Sequence, residues 1–264
     1  MELREAIGRR RSIRFVRPYK MVEKEKIQIM LEAARLASHW GNVQSLNAVA
    51  IFRDEAEPEI LDKIQSAING WQVKIAPVVI FWYLETDAVM DQANRLREIV
   101  SSGAMGFGKI EESLEGLEKN IIPFFEGILP SMKEGMLGYI DAGQGIAQAT
   151  LAAYEMGLGT CCLGTQNADG LLEALGAPDS TRPLLFQTVG YPAEHWEAGG
   201  QRPRLPFGQR FKMNNWATEF PRDENVVADL TEDRMFTSPA PHPDREAELA
   251  FLKEALNLEG LGLI

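Results

Sequence analysis

The sequence predicts one domain in which helices and strands are interspersed. Three observations carry that reading. Pro77–Leu84 is an unbroken β-branched and aromatic run, as a strand buried on both faces requires. Lys24–Ala37 places Ile27, Met30, Leu31, Ala34 and Ala37 at helical spacing. No internal repeat and no linker divides the 264 residues.

The elements follow in order. Leu3, Ala6 and Ile7 suggest a short first helix that delivers an arginine run at its C-terminal end. After the second helix, Ala48–Arg53 reads as a strand and Glu59–Ile68 as a helix with Leu61, Ile64 and Ile68 inward. Residues 87–135 break the pattern: repeated glycines alternate with Met90, Met105, Phe107, Phe124, Phe125, Met132 and Met136. Helical pieces joined by turns, with adaptable apolar surfaces, suit a lid over a pocket; the plainer alternative is a helical excursion filling the core. A long helix is expected over Tyr139–Met156, with Ile140, Gly143, Ala147, Leu151 and Tyr154 inward. Gly157-Leu158-Gly159 ends it before a short strand, Thr160–Leu163. Asn167 or Asp169 is placed to cap a helix that stops at Gly176, and Pro183–Val189 is the last strand. From Arg202 to Pro243 prolines are frequent and periodicity is lost, so this tail is expected to lie over something larger. Leu249, Leu252 and Leu256 mark a final helix over Asp244–Leu258.

Composition removes several function classes. With 38 Asp and Glu against 27 Lys and Arg, the net charge is −11, which opposes broad nucleic-acid binding. No apolar run approaches the length that spans a bilayer, and the first residues lack the apolar stretch of a signal peptide. Cys161 and Cys162 are adjacent, which disfavours a routine disulfide between them, and a reducing cytoplasm fits. The three histidines, His39, His195 and His242, are scattered without ligand-like spacing, so no metal is expected; His242, between two prolines, reads as a loop residue.

Against that acidic background, Arg9-Arg10-Arg11-Ser12-Ile13-Arg14 stands out. Guanidinium forks and a hydroxyl suit a phosphate; a solvated basic helix end is the plainer alternative. A second cluster, Arg202-Pro203-Arg204, follows Gly199-Gly200-Gln201 and could converge with the first. Between them Gly41-Asn42-Val43-Gln44 offers amides that both donate and accept, as a heteroaromatic edge requires. Gly157-Leu158-Gly159 shares glycines with the dinucleotide-binding fingerprint, but it lacks the third and runs from helix to strand, so a Rossmann site is excluded.

These pieces, in order, resemble the FMN-dependent nitroreductases over most of residues 1–204. The resemblance rests on Arg10-Arg11-Ser12-Ile13-Arg14, Asn42-x-Gln44, Asp141-Ala142-Gly143-Gln144, Gly157-Leu158-Gly159, Cys162-Leu163-Gly164 and Val189-Gly190-Tyr191-Pro192. It implies an α+β fold, a mixed sheet flanked by helices, in an intertwined homodimer with FMN at the subunit interface and residues 205–264 embracing the partner. It implies that Arg10, Ser12, Arg202 and Arg204, with Arg11 beside them, hold the phosphate or ribityl chain. Arg14 would lie beside the flavin pyrimidine and stabilise its negative charge on reduction, while Asn42 and Gln44 reach the flavin of the other subunit. Cys162, Leu163 and Gly164 would run near flavin N5, and Phe124 or Phe125 would close over a small aromatic acceptor. His39 stands where a flavin-contacting serine is common; it could contact the cofactor, form a substrate wall with Trp40, or pair with helix-end carbonyls.

The implied activity is NAD(P)H-dependent reduction of nitroaromatic or quinone-like acceptors by ping-pong hydride transfer through flavin N5. The alternatives are a specialised flavin enzyme of the same fold (a reductive dehalogenase, a flavin-consuming enzyme or a natural-product oxidase) and a non-catalytic flavin-binding or sensing protein.

Overall fold

Four strands form the central sheet: β1 (Leu46–Phe52), β2 (Val78–Glu85), β3 (Gly159–Gly164) and β4 (Thr181–Gly190). The computed structural model describes residues 2–66, 70–106, 108–166, 168–237 and 243–258. Phe107, the Asn167 cap, His242 and the inward Ile68 lie outside the described residues. The strand order is β1-β2-β4-β3, and every neighbouring pair runs antiparallel. Parallel pairing enters through an isolated bridge between Ser12 and Thr160, which lays the arginine run along the β3 edge.

β2 fulfils its apolar run. Val78, Ile80 and Trp82 enter one core with Ile27, Met30 and Ala34 of α2 (Lys24–Arg35) and Ile146, Ala149 and Ala153 of α8 (Leu137–Glu155). Val79 and Phe81 enter the other with Ile13, Val16, Ile51, Leu171 and Phe186. The strand is therefore buried on both faces, and each fully buried aliphatic or aromatic side chain stabilises the fold by about 1.5–3 kcal/mol. Two of the polar side chains inside form a paired chain: Trp82 Nε1 donates to Gln187 Oε1 at 2.9 Å, and Gln187 Nε2 donates to Thr150 Oγ1 at 2.9 Å.

Helix α8 corrects most of the expected inward stripe, although Tyr154 is buried as expected. Ala142, Gly145, Ile146, Ala149 and Ala153 face the core, while Ile140 is 56% exposed and Gly143 and Ala147 lie on the surface. The helix is apolar on nearly every side, so spacing alone does not choose its buried face. Gly145 decides it: a Cβ there would stand 2.4 Å from Leu46 Cδ2 and 3.2 Å from Ala34 O, so α8 packs closely on the Leu46 side chain and on α2. An apolar stripe is left outward.

The expected helix over 59–68 is shorter, α3 (Pro58–Lys63), followed by a turn of helix that the sequence reading missed, α4 (Trp71–Ile75). The 87–135 region is helical in pieces, as expected: α5 (Gln92–Ser101), α6 (Ile110–Gly116) and α7 (Ile122–Glu134). Beyond α9 (Ala168–Leu175) and β4, the tail carries α10 (Phe207–Arg210), α11 (Glu224–Glu232) and α12 (Arg245–Ala255). Leu249, Leu252 and Leu256 of this last segment pack against Phe15 of the same chain. Among the described residues no helix is long and apolar enough to cross a membrane.

Candidate functional site

The first helix, α1 (Leu3–Arg9), ends where its chain turns to meet β3, and this presents the arginine run beside the second cluster. Arg10, Ser12, Arg202 and Arg204 line one cavity of about 120 Å³ with Gly8 and Gln201. Arg10, Arg202 and Arg204 also border a wider groove of about 770 Å³ that reaches Cys162 and the exposed stripe of α8 at Gly143 and Ala147. Convergence of the two clusters is thus a property of the fold.

Electrostatics identify what this cavity can hold. Burial lowers the Arg10 pKa first, and the positive charges of Arg11 and Arg204 lower it further. Cations gathered tightly enough to disfavour one another are relieved by an anion. Guanidinium forks with the nearby Ser12 hydroxyl form the donor set a phosphate monoester needs.

The members of the run divide sharply. Arg11 is buried and already engaged: it donates to Gly8 O at 2.6 Å, Arg10 O at 3.1 Å, Glu197 Oε2 at 3.0 Å and Thr237 Oγ1 at 2.7 Å. Its role in the chain is to tie the cavity floor to the tail. Arg9 forms an ion pair with Glu5 at 3.1 Å. Arg14 has its guanidinium on Ser12 O at 3.1 Å, and its backbone N–H donates to Glu194 Oε1. Glu194, which sequence reasoning missed, also accepts from Phe15 N at 3.1 Å and from Arg245 at 2.7 Å. Its position two residues after Tyr191-Pro192 was visible, but the partner Arg245 lies 51 positions away.

Gln201 was also missed. It donates to Gly8 O at 3.4 Å and to Met235 O at 2.9 Å, and accepts from Thr237 N at 3.1 Å. Arg4–Asp233 at 2.5 Å and Arg234–Glu5 at 3.2 Å extend the same seam. A Cβ on Gly8 would stand 2.3 Å from Arg234 O, so only glycine permits the tail to lie this close. The seam puts Met235 and Phe236 on the wall of the groove that Arg10, Arg202 and Arg204 share.

Cys162 opens on that groove. It keeps an exposed surface in the single chain. Protein nevertheless crowds its sulfur, and this desolvation, with the adjacent Cys161 adding and Arg10 opposing, pushes the thiol up to about 11. A thiol in that state is a poor nucleophile at neutral pH. Leu163 turns toward the second core, and Gly164 stays at the exposed end of β3.

Asn42 and Gln44 lie elsewhere, Asn42 at the end of a turn over Trp40–Asn42 and Gln44 two residues beyond it. Gly41, Asn42 and Gln44 have φ of 55°, 55° and 56°, a left-handed backbone that costs energy at the two non-glycine positions. Three contacts hold it: Asp141 Oδ2 accepts from Trp40 N at 2.9 Å, Gln92 donates to Gly41 O at 3.0 Å, and Arg95 donates to Val43 O. Asn42 and Gln44 turn toward each other, Gln44 Nε2 donating to Asn42 Oδ1 at 3.2 Å. His39 points inward, its side chain 6% exposed and Nδ1 3.9 Å from Asp141 Oδ2. Burial lowers its pKa, Arg95 assists, and Asp141 opposes. Trp40 is the outward residue, its ring 5.2 Å from that of Phe125, which in turn packs edge-on to the exposed Phe124 at 5.4 Å. Among the described residues no group of three His, Cys, Asp or Glu could hold a metal ion.

The described geometry has known counterparts. A family model, Nitroreductase family, matches residues 7–77 and 132–191, the stretches that carry the arginine run, the Asn42–Gln44 turn, α8 and most of the sheet. The chain belongs to the nitroreductase family. Its fold overlays a protein designated a nitroreductase, from Exiguobacterium sibiricum and solved in complex with FMN. The TM-score is 0.67 at 23% identity, covering 81% of this chain and 98% of that one. Among curated relatives, an FMN reductase (NADPH) of Bacillus subtilis is 36% identical over 81 residues, 30% of this chain and 31% of that protein. A second Bacillus subtilis protein, FMN reductase (NAD(P)H), is 25% identical over 205 residues, 77% of this chain and 69% of its own length. For this nitroreductase-family chain, the family match leaves out residues 78–131 and the tail beyond 191, so Gln201, Met235, Phe236 and Arg245 lie outside it.

Proposed function

We propose that the protein is an NAD(P)H-dependent FMN oxidoreductase that passes electrons to nitroaromatic or quinone-like acceptors. The observation that carries this reading is the converged arginine cavity, in which Arg10 is held beside Arg11 and Arg204 against their mutual repulsion. FMN when bound supplies two-electron transfer between a reduced nicotinamide and an acceptor. Arg10, Ser12, Arg202 and Arg204 would hold its phosphate. Arg14 would set positive charge beside its pyrimidine ring, with the guanidinium held at Ser12 O. Asn42 and Gln44 would serve the flavin of a second copy. This is supported by their place on a turn that borders a different cavity, through Trp40, Val43 and Ser45, from the one the arginines line. The outward apolar stripe of α8 supports the same two-copy arrangement, as does the exposed arm over 205–220, where Trp216 is 92% exposed. Phe124 and Phe125 would close on an aromatic acceptor by stacking. The names of the Bacillus subtilis relatives add free FMN to the candidate acceptors. Two free cysteines support a reducing, cytoplasmic setting.

Anaerobic reduction tests the proposal. Protein loaded with FMN is mixed with NADH or NADPH, and then with a nitroarene, a quinone or free FMN. Bleaching of the yellow colour by nicotinamide and recovery by one acceptor class is expected. Colour that nicotinamide does not bleach would indicate a flavin-binding protein without turnover, and a chain that refuses FMN would overturn the reading.

A further inference from the structure

The second cavity, behind the Asn42–Gln44 turn, is not explained by the arginine cradle. It measures about 260 Å³ and lies between the turn, the end of β2 and the junction of α7 with α8. An apolar cavity of about 150 Å³ already accepts a benzene-sized molecule, so a substituted ring fits this one. Trp40, Leu84, Val89, Met132 and Leu137 supply apolar wall.

Among the described residues, Ser45 Oγ in this wall has no partner. Ser45 is 5% exposed, although its backbone is fixed: Ser45 O accepts from Glu85 N at 2.8 Å and from Asn47 Nδ2 at 3.1 Å. A buried hydroxyl left unpaired is destabilising, and a ligand carrying its own hydroxyl relieves it. Charge narrows the ligand further. The carboxylates of buried Asp141 and of Glu134 border the cavity and disfavour an anion, while Lys133 and Arg182 at the wall disfavour a cation. Both cations already have partners, Lys133 in Asp87 and Arg182 in Asp179 O at 2.7 Å. We propose that this cavity is a binding site for a small neutral phenol, its ring against Trp40 and its hydroxyl paired with Ser45 Oγ. Occupancy reaches the lid directly, because Trp40 packs edge-on against Phe125.

Calorimetric titration of the full-length chain with phenol, toluene and benzoate tests this, with and without added FMN. It needs no electron transfer, so its outcome is separate from the fate of the proposed oxidoreductase activity. Phenol is expected to bind one per chain, toluene about fivefold or more weakly, and benzoate not at all. Ser45→Ala should weaken phenol to the level of toluene and leave toluene unchanged, and Leu137→Trp should remove both by filling the space. Equal binding of phenol and toluene, tighter binding of benzoate, no phenol binding, or phenol binding indifferent to both variants would overturn the proposal. The wild-type ligand series decides the matter even if a variant fails to fold.

Discussion

Arg14 and Arg11 stand three positions apart and meet opposite fates. Arg11 spends its guanidinium on Gly8, Arg10, Glu197 and Thr237, whereas among the described residues the Arg14 guanidinium donates only to the carbonyl of Ser12. Arg11→Ala is therefore expected to cost stability, about 3 kcal/mol, because it leaves Glu197 with only the longer contact to Arg9 at 3.7 Å and opens a buried site; urea unfolding measures it. Arg14→Ala should instead slow flavin reduction with little loss of bound FMN, while Arg202→Ala and Arg204→Ala should chiefly lose FMN. Stopped-flow reduction together with the flavin-to-protein absorbance ratio separates these outcomes. An Arg14→Ala enzyme with unchanged reduction rate would remove the proposed charge role. At Cys162 the raised thiol pKa makes a kinetic prediction. Alkylation by iodoacetamide at pH 8 should run about a hundredfold slower than for a thiol of ordinary pKa, and should accelerate as pH approaches 11. The charge of the arginine run was plain in the sequence, but the division of labour within it was not. It depends on Glu197 and Thr237, 186 and 226 positions away from Arg11.

Elements in this fold are joined by a few buried polar contacts. Glu194, its side chain fully buried, binds the backbone N–H groups of Arg14 and Phe15 with one oxygen and Arg245 of α12 with the other. Glu194→Ala would leave Arg245 without this partner and two N–H groups unpaired; a loss of about 3–5 kcal/mol is expected in thermal or urea unfolding. The turn over residues 39–44 carries a pH dependence. Burial depresses the His39 pKa below its ordinary 6.5, so the unfolded chain binds a proton more readily than the folded one. Stability should therefore fall as pH drops through 6.5, and His39→Phe should flatten that slope; paired urea melts at pH 7.5 and 5.5 check it. Strands and helices were largely legible because β2 is apolar throughout and α2 has one apolar face. The buried face of α8 was not, since a helix apolar all round leaves the choice to Gly145 and Leu46, a contact between distant segments.

Across the whole molecule, the single chain leaves apolar surface where a second copy is proposed to sit. Leu3 at 64%, Ile7 at 43% and Ile140 at 56% exposure share one side with Gly143 and Ala147, next to the arginine groove. Ala147→Glu is expected to convert a dimer into a monomer in sedimentation and to lower FMN retention with it. A monomeric wild type that retains FMN would contradict the two-copy reading. The candidate site was legible as residue types, in the two arginine clusters and the Asn42-x-Gln44 pair. Its separation into a cradle and a turn on different cavities was not, because that depends on how the chain is folded back.

The seam between Gly8, Gln201 and Thr237 has a consequence for how the protein is made. Arg11 and Thr237 are separated by 226 positions, which at about 5–20 residues per second means about ten to forty-five seconds of synthesis. Through most of that interval the arginine run has neither Gln201 nor Thr237 to fix it, and Arg202 and Arg204 arrive only late. A nascent chain cannot present the finished cradle, so cofactor loading belongs to the last stage of synthesis or follows it. Ribosome-stalled chains ending before residue 200 should accordingly retain no FMN.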